Sequence, residues 1–234
     1  MSYLKGQLKN VYLNDIIERN RVQNEEQISA VLEILASSVG SLTNPLKLSN
    51  TFRSAVNLPI ADKTISGYLS YLEDAFLVDK ARRYDVKGRK YLSSPSKYYF
   101  TDLGLRNAAL NFRQQEENHI MENVIYLELL KRGFSVDVGI VETTKRDADG
   151  KAARNYAEVD FIANRGNNKF YIQSAFAMES EEKQEQEKNS LLNIRDFFKK
   201  IIVVKDDIKR KRDENGIVTM SIYDFLLDED SLEY

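Results

Sequence analysis

The chain has 234 residues and a mass of 27.0 kDa, which suffices for one large or two small domains. Its 42% hydrophobic and 30% charged residues are typical of a soluble globular protein. With no cysteine and one histidine, the sequence excludes disulfides, thiolate zinc sites, iron–sulfur clusters and multi-histidine metal centres. The net charge of -2 gives no overall attraction to nucleic acid, so such binding would need a local basic patch.

No membrane span or targeting signal is recognisable. No stretch approaches the roughly 18 consecutive apolar residues of a membrane helix, and the first ten residues lack the apolar core of a signal peptide. We therefore expect a cytoplasmic protein with no membrane partner. None of the ten glycines belongs to a phosphate-binding loop ending in Gly-Lys-Ser or Gly-Lys-Thr, so the chain does not bind ATP through a loop of this type.

Apolar residues at helical spacing predict helices across residues 3–38, with Gly40 as a stop. A short helix at 48–56, a turn at 57–61 and a second helix with Asp62 as its N-cap follow. These segments predict a compact helix–turn–helix.

The second helix of this unit leads into two predicted strands. Its apolar stripe consists of Ile65, Leu69, Leu72 and Phe76. This stripe leaves Lys63 on a face that could meet a partner. Extended segments at 77–84 and 97–100 flank a polar, glycine-containing hairpin tip at 85–90. Helices followed by such a hairpin resemble the winged helix–turn–helix fold, over roughly residues 25–105.

The rest of the chain alternates helices and strands. A polar segment at 111–118 precedes a helix at 119–132, which ends at Gly133. The predicted strands are 136–142, 157–163, 169–176, 201–204 and 216–222. A charged loop at 144–155 separates the first two of these strands. The crossover helix before the fourth strand is predicted from the apolar residues Leu191, Leu192, Ile194, Phe197 and Phe198.

These elements predict a two-domain α/β protein. A helical linker covers residues 1–24, a winged-helix domain covers 25–112, and an α/β domain with a mixed sheet covers 113–234.

Acidic residues in the second domain follow a recognisable order. Glu122 lies on the first helix, Glu158 and Asp160 share one face of a strand, and Gln173 and Ala175 lie on the next strand. This order resembles the PD-(D/E)XK nuclease superfamily, which has a restriction-endonuclease-like core. In that family two acids and an acid-x-lysine pair hold a divalent metal and orient the attacking water.

The resemblance implies Mg²⁺ ligands at Glu122, Glu158 and Asp160. Gln173 stands where the last carboxylate belongs, and Ala175 stands where the lysine belongs. A neutral amide is a poor Mg²⁺ ligand, and alanine cannot stabilise a leaving alkoxide. We therefore expect the fold without catalysis, with vestigial nuclease positions at Glu122, Asp160, Gln173 and Ala175. Two structural alternatives stay open. Glu122 could form a structural hydrogen bond to the hairpin, and Glu158 and Asp160 could be ordinary acidic residues on a solvated strand face.

A wider resemblance covers nearly the whole chain. Residues 119–133, 158–163 and 171–175, together with the opening segment 3–19, look like the C-terminal half of a large prokaryotic family of AAA-type ATPases. In that family an ATP-binding domain precedes a winged helix and a nuclease-like domain of unassigned function. The resemblance implies an ATPase domain upstream or in another subunit as partner, and ATP binding only through that missing domain. The chain is then either a fragment or a shortened gene product.

Positive charge is concentrated on the predicted hairpin. It carries Lys80, Arg82, Arg83, Lys87, Arg89, Lys90 and Lys97, opposed only by Asp85. These side chains could neutralise several phosphates of a nucleic acid, and such binding would weaken steeply as the salt concentration rises. The candidate nucleic-acid-binding residues are Lys63, Arg82, Arg83, Lys87, Arg89 and Lys90. The alternatives are an ordinary solvated hairpin and a docking module between domains.

Three other features have structural interpretations. The basic run 209–212 is flanked by acidic residues and is predicted to be an exposed loop. His119 begins a helix with no second histidine available, which favours a structural role. Tyr98, Tyr99 and Phe100 are predicted to belong to the core rather than to a base-stacking platform.

The leading functional hypothesis is a non-catalytic C-terminal region of an AAA-type ATPase, whose winged helix and degenerate nuclease-like domain bind nucleic acid or a partner protein. The alternatives are a metal-dependent DNA or RNA nuclease with an altered active site, and a purely structural interaction module.

Overall fold

The computed structural model describes residues 1–56, 59–113, 116–146, 152–176 and 181–233. The chain forms two compact units. The first unit comprises Met1–Ala81 and Ser94–Asn123, and the second comprises Arg82–Ser93 and Val124–Tyr234. The protein is a mixed α/β structure with an eight-stranded mixed sheet, which confirms the predicted fold class at this level. Within the described ranges, no helix is both long enough and apolar enough to cross a membrane.

The first unit is mainly helical. Its helices are α1 (Ser2–Gly6), which continues through a π-helical segment (Gln7–Leu13) into α2 (Asn14–Asn20), then α3 (Glu25–Ser37), α4 (Pro45–Thr51), α5 (Asp62–Asp74) and α6 (Leu103–Ala109). Asn24, Asn44 and Asp102 cap α3, α4 and α6, because each side-chain oxygen accepts a hydrogen bond from the backbone N–H three residues later. Helix α7 (Glu117–Lys131) begins in this unit and ends in the second.

Two details of the predicted helix–turn–helix are wrong. Ala61, not Asp62, precedes α5, and the Asp62 carboxylate instead accepts a hydrogen bond from the adjacent Lys63 N–H. Phe76 lies beyond the end of α5 with a left-handed φ of 55° and is 78% exposed, so the buried stripe ends at Leu72.

The first predicted helix of this motif also differs. Helix α4 begins at Pro45 and gives way to a π-helical segment, Phe52–Val56. Proline suits the first helical position because its missing N–H would have no partner there. Residues 57 and 58 of the predicted turn lie outside the described residues.

Two strands pass from one unit to the other. They are β1 (Val78–Asp85) and β2 (Lys90–Phe100), and the tip between them belongs to the second unit. Tyr98, Tyr99 and Phe100 are buried in the first unit, with exposed fractions of 5%, 0% and 0%. Their assignment to the core is confirmed.

The second unit contains most of the sheet. Its remaining elements are β3 (Ser135–Arg146), β4 (Ala152–Arg165), β5 (Asn168–Ala175), α8 (Glu181–Leu192), β6 (Lys199–Val204), β7 (Lys211–Arg212), β8 (Val218–Ser221) and α9 (Ile222–Leu227). The strand order is β2-β1-β3-β4-β5-β6-β8-β7. The pairs β1/β3, β5/β6 and β6/β8 are parallel, and β3/β4, β4/β5 and β7/β8 are antiparallel.

Helix α8 connects the parallel strands β5 and β6, as predicted for a crossover. Leu191 and Ile194 join Tyr171 and Ala175 in a buried apolar cluster. The predicted apolar stripe does not extend further, because α8 ends at Leu192 and Phe197 in the following loop is fully exposed.

Two segments predicted as loops contain strand residues. Strand β3 runs to Arg146 and β4 begins at Ala152, so both ends of the predicted loop at 144–155 are strand, and residues 147–151 lie outside the described residues. The basic run at 209–212 is exposed at Lys211 and Arg212, yet these two residues form β7 by pairing with β8.

Candidate functional site

Glu122 lies on α7 in the first unit and accepts two short hydrogen bonds from β2. Its Oε1 is 2.8 Å from Lys97 Nζ and 2.6 Å from the Tyr99 hydroxyl. The Lys97 side chain is 4% exposed, which removes Lys97 from the basic surface predicted for the hairpin. Lys97 is buried because it pairs with a carboxylate, the usual condition for a charged side chain in a core.

The backbone at Gly40 makes room for this ion pair. Gly40 has a φ of +72°, and a Cβ placed there would lie 3.0 Å from Glu122 Oε1. Its N–H donates a hydrogen bond to the Tyr98 carbonyl on β2. Asn123, the residue after Glu122, is fully buried and bonds both the N–H and the carbonyl of Phe100 at 2.9 Å. Helix α7 is thus joined to β2 by consecutive polar side chains.

The other predicted nuclease positions lie in the second unit. Glu158 and Asp160 are on β4, and Gln173 and Ala175 are on β5. The β3–β4 register shifts next to Asp160, because two steps from Asp137 to Gly139 correspond to three steps on β4. Such a bulge changes the direction of nearby side chains and is common near functional sites.

Asp160 and Gln173 are connected by hydrogen bonds. Asp160 Oδ2 accepts a bond of 2.9 Å from Ser174 N–H, and Gln173 Oε1 accepts a long bond of 3.4 Å from Asp160 N–H. Gln173 Nε2 also donates to Glu187 on α8 at 3.2 Å. The carboxamide of Gln173 therefore lies between two acidic residues and contacts both.

The sequence pattern does not identify Glu187 as a site residue. Burial raises the pKa of its carboxyl above the ordinary value, and the negative charge of Asp160 raises it further, while the Gln173 hydrogen bond opposes the shift. The available signal was helical spacing, because Glu187 lies four residues before the buried Leu191 and on the same face of α8. Because Glu187 lies in a long run of charged residues, the sequence does not distinguish it from its exposed neighbours.

At two positions of the nuclease superfamily's pattern this chain has other residue types, Gln173 and Ala175. Across the described ranges, no group of three or more histidine, aspartate or glutamate side chains could hold a metal ion. Ala175, at the lysine position, is 1% exposed and part of the apolar cluster.

The predicted basic residues occupy two places. Lys63 is exposed on α5 in the first unit. The others lie in the second unit and are here called the basic tip: Arg82, Arg83, Lys87, Arg89 and Lys90. All are exposed except Arg83, which is half-buried and whose Nε has no hydrogen-bond partner among the described residues.

Two members of the basic tip have defined neighbours. The Arg82 guanidinium lies 4.0 Å from the centroid of the Tyr91 ring, a cation–π geometry. Lys87 Nζ is 2.6 Å from Glu142 Oε2, and this bond lowers the pKa of the Glu142 carboxyl below its ordinary value. The single acid in the tip, Asp85, accepts a hydrogen bond from Gly88 N–H. His119, at the start of α7, has Nε2 3.8 Å from Glu116.

Comparisons with known proteins identify relatives without an assigned activity. A family described as a domain of unknown function (DUF8612) matches residues 1–116. An uncharacterized protein of Haemophilus influenzae is 36% identical over 224 residues, which cover 96% of this chain and 52% of that protein. The uncharacterized protein MJ1544 of Methanocaldococcus jannaschii is 28% identical over 183 residues, or 78% of this chain and 38% of that protein.

One solved structure aligns with the chain. The crystal structure of protein VC1899 from Vibrio cholerae aligns with 97% of this chain and 55% of its own length, at 13% identity and a TM-score of 0.29. The chain spans about half or less of the length of the curated relatives it matches.

Proposed function

We propose that this chain is a non-catalytic nucleic-acid-binding region of an AAA-type ATPase, and that the basic tip makes the contact. The observation that carries the proposal is local charge. Five basic residues lie within nine positions, 82–90, a segment in which Asp85 is the one acidic residue, in a chain whose net charge is -2. Lys87 also pairs with Glu142, so the tip keeps an excess of positive charge. Exposed arginine and lysine side chains attract phosphates through the release of counterions, without any need for base recognition.

The finer fold that the proposal assumes is a winged helix followed by a nuclease-like core. Helices α4 and α5 with the β1–β2 hairpin have the order expected of the first. Helix α7, strands β3 to β5, helix α8 and strand β6 have the order expected of the second. Both are supported by element order, not by the comparison with a solved structure.

The ATPase association rests on the resemblance of the sequence. The length of the curated relatives is compatible with it, since each extends well beyond the segment that this chain matches. In the proposed arrangement ATP binds only in the ATPase domain, upstream or in another subunit, and this region contributes binding.

The rival enzyme is a metal-dependent nuclease, and one observation favours it: Asp160 and Glu187 are close enough for the charge of one to raise the pKa of the other. Against it, Gln173 replaces a carboxylate and Ala175 replaces the lysine. A neutral amide supplies less charge to a divalent cation, and nothing at the second position replaces the ammonium group. A purely structural module that docks through the basic tip is the third hypothesis.

Fluorescence anisotropy with labelled DNA tests the binding hypothesis. The variant Lys87→Ala, Arg89→Ala, Lys90→Ala is expected to weaken binding at least tenfold at about 0.1 M salt, because three phosphate contacts are lost. The matched control is Lys209→Ala, Lys211→Ala, Arg212→Ala, which removes the same charge from another exposed site. Equal affinity of both variants and the native protein would exclude the basic tip as the binding surface and favour the structural module.

Calorimetric titration with Mn²⁺, run beside a cleavage assay on branched and single-stranded DNA, tests the rival. We expect weak, non-specific cation binding and no cleavage. Tight binding that Asp160→Asn abolishes, together with cleavage, would overturn the non-catalytic assignment.

A further inference from the structure

The basic tip forms one wall of a cleft in the second unit. The cleft has a volume of about 310 Å³, and its charged lining residues are Lys87, Arg89, Glu142, Arg195 and Asp196. Arg195 comes from the loop that follows α8, so two separate segments contribute positive charge to the same cavity. A concave surface with converging cations concentrates a polyanion more strongly than a convex hairpin does.

Both acidic residues of the cleft have partners within the fold. Glu142 accepts a hydrogen bond from Lys87, and its other oxygen lies 3.2 Å from Arg154 Nε on β4. Asp196 accepts a hydrogen bond of 2.5 Å from the Tyr171 hydroxyl. The lining has three cations and two anions, and Arg154 adds a fourth cation as a partner of Glu142, so the cleft has an excess of positive charge.

Two exposed aromatic residues are neighbours of residues that line the cleft, one along the chain and one in the β3–β4 ladder. Phe197 directly follows Asp196, and its side chain is fully exposed at 106%. Tyr156 is 63% exposed and lies opposite Glu142 in the antiparallel β3–β4 ladder. Residues opposite each other in such a ladder project from the same face of the sheet, so Tyr156 lies on the face of Glu142.

This combination distinguishes single strands from duplexes. Phosphates of either form can contact the cations, but only unpaired bases expose their faces for stacking on aromatic side chains. A duplex keeps its bases stacked inside and would leave Phe197 and Tyr156 in water. Because Phe197 is fully exposed, its ring faces are accessible to an unpaired base without any change in the core.

We propose that this cleft binds single-stranded nucleic acid, with phosphates at Lys87, Arg89 and Arg195 and a base stacked on Phe197. The inference rests on the proposed function, since it specifies the form of nucleic acid that the basic tip binds. The loop at 193–198 supplies both a cation and an aromatic ring, and the hairpin supplies the opposing cations.

Anisotropy titrations of the full chain test this inference. The probes are labelled oligothymidylate, labelled oligouridylate and a mixed-sequence DNA duplex, each about 20 nucleotides or base pairs long so that it exceeds the site size of one binding module. We expect Phe197→Ala to weaken single-strand binding by about 5- to 100-fold, the usual effect of losing one stacked base. Duplex affinity should stay within about twofold, because Phe197 contacts no phosphate in this arrangement.

Two further variants separate stacking from general disruption. Phe197→Tyr retains a stacking ring and should restore single-strand affinity. Phe76→Ala removes a similarly exposed phenylalanine from the first unit and should leave all affinities unchanged. Thermal melting of each variant should match that of the native protein, since an exposed side chain contributes little to stability.

The outcomes distinguish the inference from the proposed function. Selective loss of single-strand binding in Phe197→Ala, with recovery in Phe197→Tyr, on either the DNA or the RNA probe, supports the inference. Equal binding of duplex and single strands that is insensitive to Phe197→Ala overturns it and leaves the proposed function intact. Absence of binding to all three probes overturns both.

Discussion

Removal of one partner of the buried Lys97–Glu122 pair is expected to destabilise the protein strongly. The two charged atoms are 2.8 Å apart, and the side chains are only 4% and 13% exposed. At this burial, water cannot solvate the charge that remains when its partner is replaced. Breaking such a pair typically costs about 3–5 kcal/mol. We therefore expect Lys97→Met to lower the unfolding free energy by about 3–5 kcal/mol, and Glu122→Gln to lower it by a similar amount.

The double variant should recover part of the loss, since it leaves no uncompensated charge. Urea denaturation followed by circular dichroism gives the unfolding free energy of all four proteins. We expect the double variant to lose less unfolding free energy than the two single variants lose together, by about 2 kcal/mol or more.

The Lys87–Glu142 pair provides a matched control. It has the same residue types at 2.6 Å, but Lys87 is 75% exposed. Its coupling energy should be below about 1 kcal/mol, because solvent screens exposed pairs. Similar coupling in both pairs would refute the reasoning. An increase in stability in Glu122→Gln would instead indicate a carboxylate held in place for a ligand.

Two further substitutions test local features of the fold. Gly40→Ala should lower the unfolding free energy by about 1–3 kcal/mol, because φ is left-handed and the new Cβ would approach Glu122, whereas Gly6→Ala, in an open helical position, should be neutral or stabilising. Glu187→Gln should raise the melting temperature at pH 7. The folded state raises the pKa of Glu187 and so binds its proton more tightly than the unfolded state, which means that stability falls as pH rises from the ordinary carboxyl pKa through the raised one. Melting curves at several pH values check this dependence. If Glu187→Gln still melts at a higher temperature than the native protein below the ordinary carboxyl pKa, the explanation is wrong.

Much of the fold could be predicted because local signals agreed with the tertiary structure. The helix end at Gly133 and the apolar run at 201–204 each specify their own conformation through nearby residues. The parallel crossover between β5 and β6 followed from the order of elements and from the handedness of such connections.

The errors arose where a distant residue decides the environment. Lys97 belongs to a basic segment by sequence, but its pairing with Glu122, 25 residues away, makes it a core residue. Phe197 belongs to an apolar run, but α8 ends at Leu192, and helical spacing no longer applies to the loop that follows. Composition alone cannot distinguish a buried cation or an exposed aromatic residue from the usual case.

In the candidate site too, features set by local sequence could be predicted, whereas contacts between distant residues could not. The positions of Glu158, Asp160 and Gln173 on neighbouring strands followed from alternation and turn residues. The contact of Gln173 with Glu187 depends on how α8 covers the sheet, which no local pattern reports.

The salt dependence of nucleic-acid binding tests the central claim most directly. For the native chain, the logarithm of the association constant should fall linearly with the logarithm of the salt concentration. In the variant Lys87→Ala, Arg89→Ala, Lys90→Ala, the slope should be shallower by about 2–3, since each phosphate contact contributes about 0.7–0.9. Identical slopes for the two proteins would show that these side chains do not contact phosphate, and would contradict the account.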